Sequence, residues 1–551
     1  MIAPQMSVPG TNSRPNIVLM MADDMGYSDL GCFGSEISTP NIDALARRGA
    51  RFTQFYNCAR CCPTRASLLT GLYPHEAGVG HMTTDLRIAG YRGYLSRNAV
   101  TIAEALRPAG YRTLMSGKWH VGGDYLMSRP DIPSVGSESW PQPTDRGFER
   151  FFGTLTGAGS YFSPHTLTED GEPLEAPEGF YYTDAIADRA VDYISEYGSG
   201  EDPFFLYVAF TAPHWPLHAL EEDIERYRGR YREGWEKIRQ ARHEEQKGMG
   251  ILDESWPISK RDPGQRDWNA VVNQDWEDAR MAVYAAQIDR MDQGVGRIVA
   301  KLEQMEIAEN TLVMFLSDNG ACAEFLKEDG FFEFSPTRTR DGSPMKLGNA
   351  ESVLPGPENT YMSYDISWAN ASNSPFRRFK HWTHEGGIST PFIACWPEMI
   401  RPGLQVDSPC HLIDVMPTCL AAAGAAYPGT YNDYDVRPLR GQSLLEPFQD
   451  AGWSRDGPIY WEHEGNQAVR LGQWKLVRRY PGDWELYDLS LDRTEQEDLA
   501  ASNRARLAEL VGLYDGWAPG ALVVPWEQII ARDDMAYQRQ RLQNTASTQG
   551  D

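Results

Sequence analysis

The chain of 551 residues is 41% hydrophobic, which supplies enough apolar surface for a large core and excludes an intrinsically disordered protein. Its 77 acidic and 52 basic residues give a formal net charge of −25, which disfavours nucleic acid and anionic membrane surfaces as partners. An anionic substrate would therefore need a locally built site, made of a few basic side chains or a bound cation.

The predicted elements of the first 425 residues alternate between short apolar runs and amphipathic segments. Strands are predicted at 16–22, 111–116, 203–210, 311–316 and 390–396. Helices are predicted at 41–51, 100–109, 184–197 and 278–305. The charged stretch 221–274 is predicted to be a helical insertion or a solvated excursion, and 326–374 a long loop. This alternation predicts an α/β domain over 14–425, with a large and mostly parallel sheet sandwiched by helices.

The pattern changes after residue 425. Short runs at 458–461, 467–471, 475–478 and 484–487 are separated by turns and predict a small antiparallel sheet. A helix is predicted at 504–514, so the C-terminal domain should cover 426–535. The polar residues 536–551 are predicted to be a disordered tail.

The sequence shows no secretory signal at its N-terminus and no apolar run long enough for a membrane span. Residues 1–14 lack a basic start followed by an apolar stretch, and no run approaches the roughly 20 apolar residues of a membrane span. We therefore expect a cytoplasmic protein. Eight cysteines in so long a chain do not predict a disulfide framework.

Acidic and amide side chains follow two of the predicted strands. Asp23 and Asp24 end the first strand, and Asp318 and Asn319 end another almost 300 residues later. The carboxyl ends of parallel strands share one edge of a sheet, so these four side chains can converge. Their oxygens would suit a hard divalent cation such as Ca²⁺ or Mg²⁺.

Several basic residues lie in turns flanked by glycine or proline. Gathered around a metal ion, they would form an anion pocket and could transfer protons. They are Arg65, Lys118, His120, His214 and Lys380.

Other histidines lie close to these segments. His75, His81, His381 and His384 are expected to pack or to support the site rather than to take part in the chemistry. His165 and His218 could line a substrate pocket.

A third element is the run from Cys61 to Gly71, in which Cys61-Cys62-Pro63-Thr64-Arg65 is followed by Leu-Thr-Gly. It resembles the sulfatase signature Cys-x-Pro-Ser/Thr-Arg. Further segments resemble the same family and occur in its order, at 16–24, 39–43, 117–120, 212–216, 317–320, 380–387 and 484–489. Over roughly 14–515 the chain resembles the sulfatase family of the alkaline phosphatase superfamily, and bacterial arylsulfatases most of all.

The resemblance implies an alkaline-phosphatase-like fold and a nucleophile made from Cys61. In the family, a formylglycine-generating enzyme oxidises this cysteine to formylglycine, an aldehyde that hydrates to a geminal diol. By resemblance, modified Cys61 and four side chains hold one divalent cation, expected to be Ca²⁺; these are Asp23, Asp24, Asp318 and Asn319. The substrate would be a small sulfate ester. Cys62 departs from the small residues usual at its position.

The resemblance also assigns roles to the basic residues. Lys118, Lys380 and His214 would offset charge on the sulfuryl oxygens, and His214 or Lys380 would protonate the leaving group. His120 would take a proton from the second hydroxyl of the diol, and Arg65 would orient the diol.

Alternatives remain at this stage. A phosphonate monoester hydrolase or phosphodiesterase would use the same site, and the core motifs do not separate it from a sulfatase. A two-zinc phosphatase would need additional Asp and His ligands for a second metal. A non-catalytic protein on this scaffold would not need every motif that is present here. Thiol redox chemistry would rest on Cys58 and Cys61 alone. The sequence gives no oligomeric state.

Overall fold

The computed structural model describes residues 14–123, 140–328 and 337–532, so the predicted tail lies outside the described residues. The strands are β1 (Asn16–Ala22), β2 (Ala50–Tyr56), β3 (Arg112–Gly117), β4 (Arg150–Thr154), β5 (Leu167–Glu169), β6 (Glu172–Pro173), β7 (Phe204–Ala209), β8 (Thr311–Ser317), β9 (Lys346–Leu347), β10 (Thr360–Tyr361), β11 (Ser389–Cys395), β12 (Leu404–Val406), β13 (Cys410–His411), β14 (Thr430–Tyr431), β15 (Tyr434–Asp435), β16 (Ile459–His463), β17 (Asn466–Leu471), β18 (Trp474–Arg478) and β19 (Trp484–Asp488). The helices are α1 (Pro40–Arg48), α2 (Cys61–Thr70), α3 (Ile102–Leu106), α4 (Tyr182–Tyr197), α5 (Glu221–Ile224), α6 (Trp235–Gly248), α7 (Gln274–Gln304), α8 (Asp365–Ser372), α9 (Glu385–Ile388), α10 (Val415–Ala423), α11 (Arg504–Trp517) and α12 (Trp526–Ile530).

A large sheet forms the centre of the molecule. Its strands run in the order β12–β2–β11–β8–β1–β7–β3–β4–β5–β6, and β13 also pairs with β2. The central strands β8, β1, β7, β3 and β4 run parallel to one another, whereas β11 is antiparallel to both β8 and β2 and β5 is antiparallel to β4. The prediction of a mostly parallel sheet is confirmed.

Helices cover both faces of this sheet, as successive side chains of β1 illustrate. Val18 and Met20 pack with residues of α4 and α7 on one face. Ile17 and Leu19 pack with residues of α2, α3 and α10 on the other. Because every residue of β1 after the first is buried, the strand carries the uninterrupted apolar run typical of a strand covered on both faces.

Two sequence predictions need correction. The helix predicted at 41–51 ends at Arg48, because Gly49 breaks it and strand β2 begins at Ala50. The loop predicted at 326–374 contains the helix α8 and the short strands β9 and β10 within its described residues. Buried Trp368 anchors α8 against the core, which the glycine- and proline-rich composition does not indicate.

The segment 221–274 is helical in part, through α5 and α6, and packs into the body of the protein. Trp235 of α6 is buried and makes edge-to-face contacts with Trp268 and Trp368. Arg242 of α6 is also buried, and its guanidinium donates to Asp29 Oδ1 over 2.6 Å. These contacts join the segment to the loop that follows β1.

The C-terminal sheet is antiparallel, with the strand order β16–β17–β18–β19. Helix α11 covers it through Leu510 and Tyr514. The division of the chain into units 14–425 and 426–535 stays a proposal. Among the described helices, none is both long enough and apolar enough to cross a membrane.

Candidate active site

The side chains singled out from the sequence come together beyond the carboxyl ends of the central parallel strands. Asp23 follows β1, Lys118 follows β3, and Asp318 follows β8. His214 lies five residues beyond β7, and Lys380 lies in the connection from α8 to α9. This is the edge at which open α/β sheets bind ligands.

The acidic and amide groups of the two strand ends contact each other directly. The backbone N–H of Asp24 donates to Asp318 Oδ1 over 3.1 Å, and Asn319 Nδ2 donates to Asp24 Oδ1 over 2.6 Å. All of these residues, with Asp23, are at most 1% exposed. Asp24 has a φ of 66°, a conformation that is costly for a non-glycine residue and occurs preferentially at functional sites.

Helix α2 places Cys61 and Arg65 beside these carboxylates. Cys61 is the first residue of the helix, where the backbone dipole favours negative charge. One turn later, Arg65 donates to Asp318 Oδ2 over 3.0 Å and lies 3.6 Å from Asp23 Oδ2. Arg65 also donates to the carbonyl of Lys118, so it connects three of the contributing segments.

Two lysines and a histidine contact the carboxylates of Asp23 and Asp24. Lys118 Nζ donates to Asp23 Oδ2 over 2.5 Å, and Lys380 Nζ lies 2.8 Å from Asp24 Oδ1. His214 Nε2 lies 3.3 Å from both Lys380 Nζ and Asp24 Oδ2. Arg65 and Asp318 connect the Lys118–Asp23 pair to these contacts, so that all of them belong to one buried network.

His120 reaches the site from the segment after β3. Its Nε2 lies 3.2 Å from Cys62 Sγ, and His120, Cys61 and Cys62 form one tight group of potential ligand atoms. His120 also adopts a positive φ, of 58°. The vicinal cysteine thus contacts the histidine to which the family resemblance assigns a proton transfer.

The geometry fits a bound cation. Asp23 Oδ1 and Asn319 Oδ1 are buried and, among the described residues, neither accepts a hydrogen bond. A buried oxygen without a partner is costly unless another group satisfies it. Carboxylate and amide oxygens are the ligands that hard divalent cations prefer. Asp23, Asp24, Asp318 and Asn319 can therefore hold such an ion.

Burial and the neighbouring charges shift the pKa values of these acids in different directions. Burial raises the pKa of Asp318 well above its ordinary value, and the Asp23 carboxylate adds to that rise. Burial also raises the pKa of Asp23, although Lys118 opposes it. For Asp24, burial is outweighed by His214 together with Lys380, so its pKa is lowered.

The pKa values of Cys61, His120 and His214 are shifted as well. A hydrogen bond from Cys62 lowers the pKa of Cys61 well below its ordinary value, with help from His120 and Lys118. Burial lowers the pKa of His120 and of His214 to about 4. Both imidazoles are therefore neutral at pH 7 and able to accept a proton.

Three residues of one hydrogen-bonded group that begins next to Cys61 were missed from the sequence. Arg60, which precedes the motif, donates to Glu324 Oε1 over 2.9 Å, and Trp215 Nε1 donates to Glu324 Oε2 over 2.9 Å. Only the position of Arg60 next to the motif could have indicated them. His218, suggested as a pocket residue, is fully buried, and its Nε2 lies 2.6 Å from the carbonyl oxygen of Thr360.

Comparison with known proteins decides the family. The sulfatase family model matches residues 15–425, and a model of the C-terminal part of N-sulphoglucosamine sulphohydrolase matches residues 376–510. The chain belongs to the sulfatase family. It is a sulfuric ester hydrolase, and the fold described above is that of its family.

Individual sulfatases resemble this one along most of their length. An uncharacterized sulfatase of Schizosaccharomyces pombe is 34% identical, over 91% of this chain and 92% of that protein. The arylsulfatase of Klebsiella aerogenes is 34% identical, over 78% of this chain and 91% of its own. The crystal structure of Ps i-CgsB in complex with k-i-k-neocarrahexaose has a TM-score of 0.64 and 26% identity, covering 92% of this chain and 93% of that one.

Proposed function

We propose that this sulfatase hydrolyses aryl sulfate esters with a formylglycine derived from Cys61 and one divalent cation, Ca²⁺. The observation that carries the proposal is the position of Cys61 at the start of α2, beside a buried set of oxygen ligands that includes the unsatisfied Asp23 Oδ1 and Asn319 Oδ1. The 34% identity to the Klebsiella aerogenes arylsulfatase supports the aryl preference.

The modified side chain would supply a nucleophilic hydroxyl, and the cation would supply positive charge for the sulfuryl oxygens. Lys118 and Lys380 would bind those oxygens as well, because their ammonium groups contact Asp23 and Asp24, two of the side chains that would hold the cation. Arg65, held by Asp318, would orient the modified side chain.

Two histidines are placed for the two proton transfers. The Lys380 ammonium, which lies 3.3 Å from His214 Nε2, would supply the proton for the departing phenol oxygen, directly or by way of His214. His120 would accept the proton of the second hydroxyl on residue 61, so that the bond to sulfate breaks and the aldehyde returns. Burial lowers the pKa of His120 to about 4, so its imidazole is unprotonated at pH 7, which is the form that can accept this proton.

Maturation would require a formylglycine-generating enzyme, because the chain itself supplies only a cysteine at position 61. The test combines peptide mass spectrometry across residues 60–65 with a panel of sulfate and phosphate esters on the same preparation. We expect an aldehyde at position 61 and a kcat/KM for aryl sulfates well above that for phosphonate monoesters.

The control is Cys61→Ala, which should bind the cation more weakly and show no turnover. An unmodified thiol at position 61 in fully active enzyme would rule out the proposed nucleophile. A preference for phosphonate monoesters would instead identify the alternative activity at the same site.

A further inference from the structure

The four side chains proposed to hold the cation, Asp23, Asp24, Asp318 and Asn319, form the acidic site. A second group of potential metal-ligating side chains lies outside it, and we call this group the histidine cluster. It consists of His81, His381, His463 and Glu464. His81 lies in the connection after α2, His381 precedes α9, and the other two lie at the turn between β16 and β17. Three separate parts of the chain therefore meet here.

The carboxylate of Glu464 is at the centre of the histidine cluster. Its Oε1 lies 3.1 Å from His81 Nδ1 and 3.9 Å from His463 Nε2, and its Oε2 lies 3.3 Å from His381 Nδ1. Potential ligand atoms of His381, His463 and Glu464 all lie within 4.8 Å of one another. Metal–ligand bonds of about 2.0–2.2 Å to nitrogen and oxygen would join such atoms through one ion after small side-chain movements.

Burial gives this arrangement its energetic significance. His463 is fully buried, and within the described part of the chain neither of its ring nitrogens makes a hydrogen bond. A buried imidazole with two unsatisfied nitrogens is costly, since each polar atom has lost water without a replacement. A bound cation would satisfy one nitrogen directly.

We propose that His381, His463 and Glu464 bind a zinc-class divalent cation, and that His81 orients the Glu464 carboxylate. Two imidazoles and one carboxylate favour Zn²⁺, Ni²⁺ or Cu²⁺ over Ca²⁺, which prefers an all-oxygen shell. A histidine that contacts a ligating carboxylate is the kind of outer partner that fixes ligand orientation.

The backbone around the cluster suggests what the ion would do. His381 immediately follows Lys380, and its N–H donates to the carbonyl of Ala59 over 2.7 Å. Asn466 of β17 contacts His381 Nε2 over 3.2 Å. The ion would therefore clamp the turn of the C-terminal sheet onto the segment that carries Lys380, at the rim of the active site.

The experiment titrates the full-length, metal-stripped enzyme with CoCl₂ in the presence of excess CaCl₂, which occupies the acidic site. Visible absorption reports Co²⁺ bound by nitrogen ligands, and the stoichiometry is counted by elemental analysis after gel filtration. We expect one equivalent of Co²⁺ in the wild-type enzyme, displaced by one equivalent of Zn²⁺. Glu464→Gln and His463→Gln should each weaken Co²⁺ binding about 100-fold or more.

Two variants serve as controls. His384→Gln removes a buried histidine that contacts only a single carboxylate, Glu485, among the ion pairs described, and it should bind Co²⁺ as the wild type does. Asp318→Asn alters the acidic site and should also keep the Co²⁺ band. Wild-type enzyme without a saturable Co²⁺ band would overturn the proposal, and so would unchanged Co²⁺ binding in Glu464→Gln. The Glu464→Gln variant conserves side-chain size, so it keeps the test decisive if His463→Gln fails to fold.

Discussion

Replacing Lys475 by methionine should destabilise the protein strongly without touching the active site. Lys475 lies on β18 and is completely buried, with Nζ 2.8 Å from Oε1 of both Glu385 and Glu495. Tyr56 and Ser389 donate to the other oxygen of Glu385. Removing the ammonium would leave two buried carboxylates facing each other.

The size of the effect follows from the pKa of Glu385. Burial alone would raise that pKa, but Lys475, with Arg493 and Arg470, lowers it from 4.5 to about 2. The difference corresponds to about 3 kcal/mol of folding free energy. Breaking a buried ion pair by removing one partner costs about 3–5 kcal/mol. We therefore expect Lys475→Met to lower the free energy of unfolding by about 3–5 kcal/mol at pH 7.

The pH dependence has a definite sign. Because the folded state has the lower pKa, this stabilisation is complete above about pH 4.5, the unfolded value, and is lost as the pH falls toward about 2. In Lys475→Met the Glu385 pKa should rise. The stability difference between wild type and variant should then shrink as the pH falls below 4.5.

Urea unfolding followed by tryptophan fluorescence, at pH 7 and at a series of acidic pH values, measures both effects. The matched control is Lys237→Met, since Lys237 and its partner Glu233 are 66% and 70% exposed. An exposed pair contributes at most about 1 kcal/mol. Equal decreases in the free energy of unfolding in the two variants would refute the reasoning, and so would a decrease below about 1 kcal/mol in Lys475→Met.

Three further predictions concern the active site. Lys118→Ala should lower kcat for an aryl sulfate about 10²–10³-fold, as loss of one charge-stabilising donor does, and a change of less than tenfold would contradict that role. His214→Ala should slow the hydrolysis of sulfate esters of weakly acidic phenols more than that of nitrophenyl sulfates. The measurement is the dependence of log kcat on the pKa of the leaving group, which should become steeper. Chelation with EDTA should lower both activity and Tm, because Asp23, Asp24 and Asp318 would repel one another without the cation. Both values should recover when Ca²⁺ is added. A Tm that does not change on chelation would argue against the cation.

The sequence predicts the central strands well, because a buried parallel strand has a distinctive composition. The apolar runs that became β1, β7 and β8 are each followed by polar residues, and those positions share one edge of the sheet. The placement of Asp23 and Asp318 next to each other follows from strand order alone.

Other features depend on tertiary contacts that no local pattern encodes. The pattern predicts a helix that continues through Ala50 and Arg51, the first two residues of β2, because they extend the helical periodicity across Gly49. The contact between His120 and Cys62 depends on the path of the chain after β3. The histidine cluster has no ligand spacing in the sequence, since His81 and Glu464 are almost 400 residues apart.

The burial of helix α2 has a consequence for the order of events during synthesis. Every residue from Cys61 to Thr70 is buried, and Cys61 itself is only 2% exposed. A modifying enzyme would have little access to that thiol once the native packing has formed. The oxidation proposed at position 61 would therefore take place on the nascent or unfolded polypeptide, and molecules that fold first would keep an unmodified cysteine.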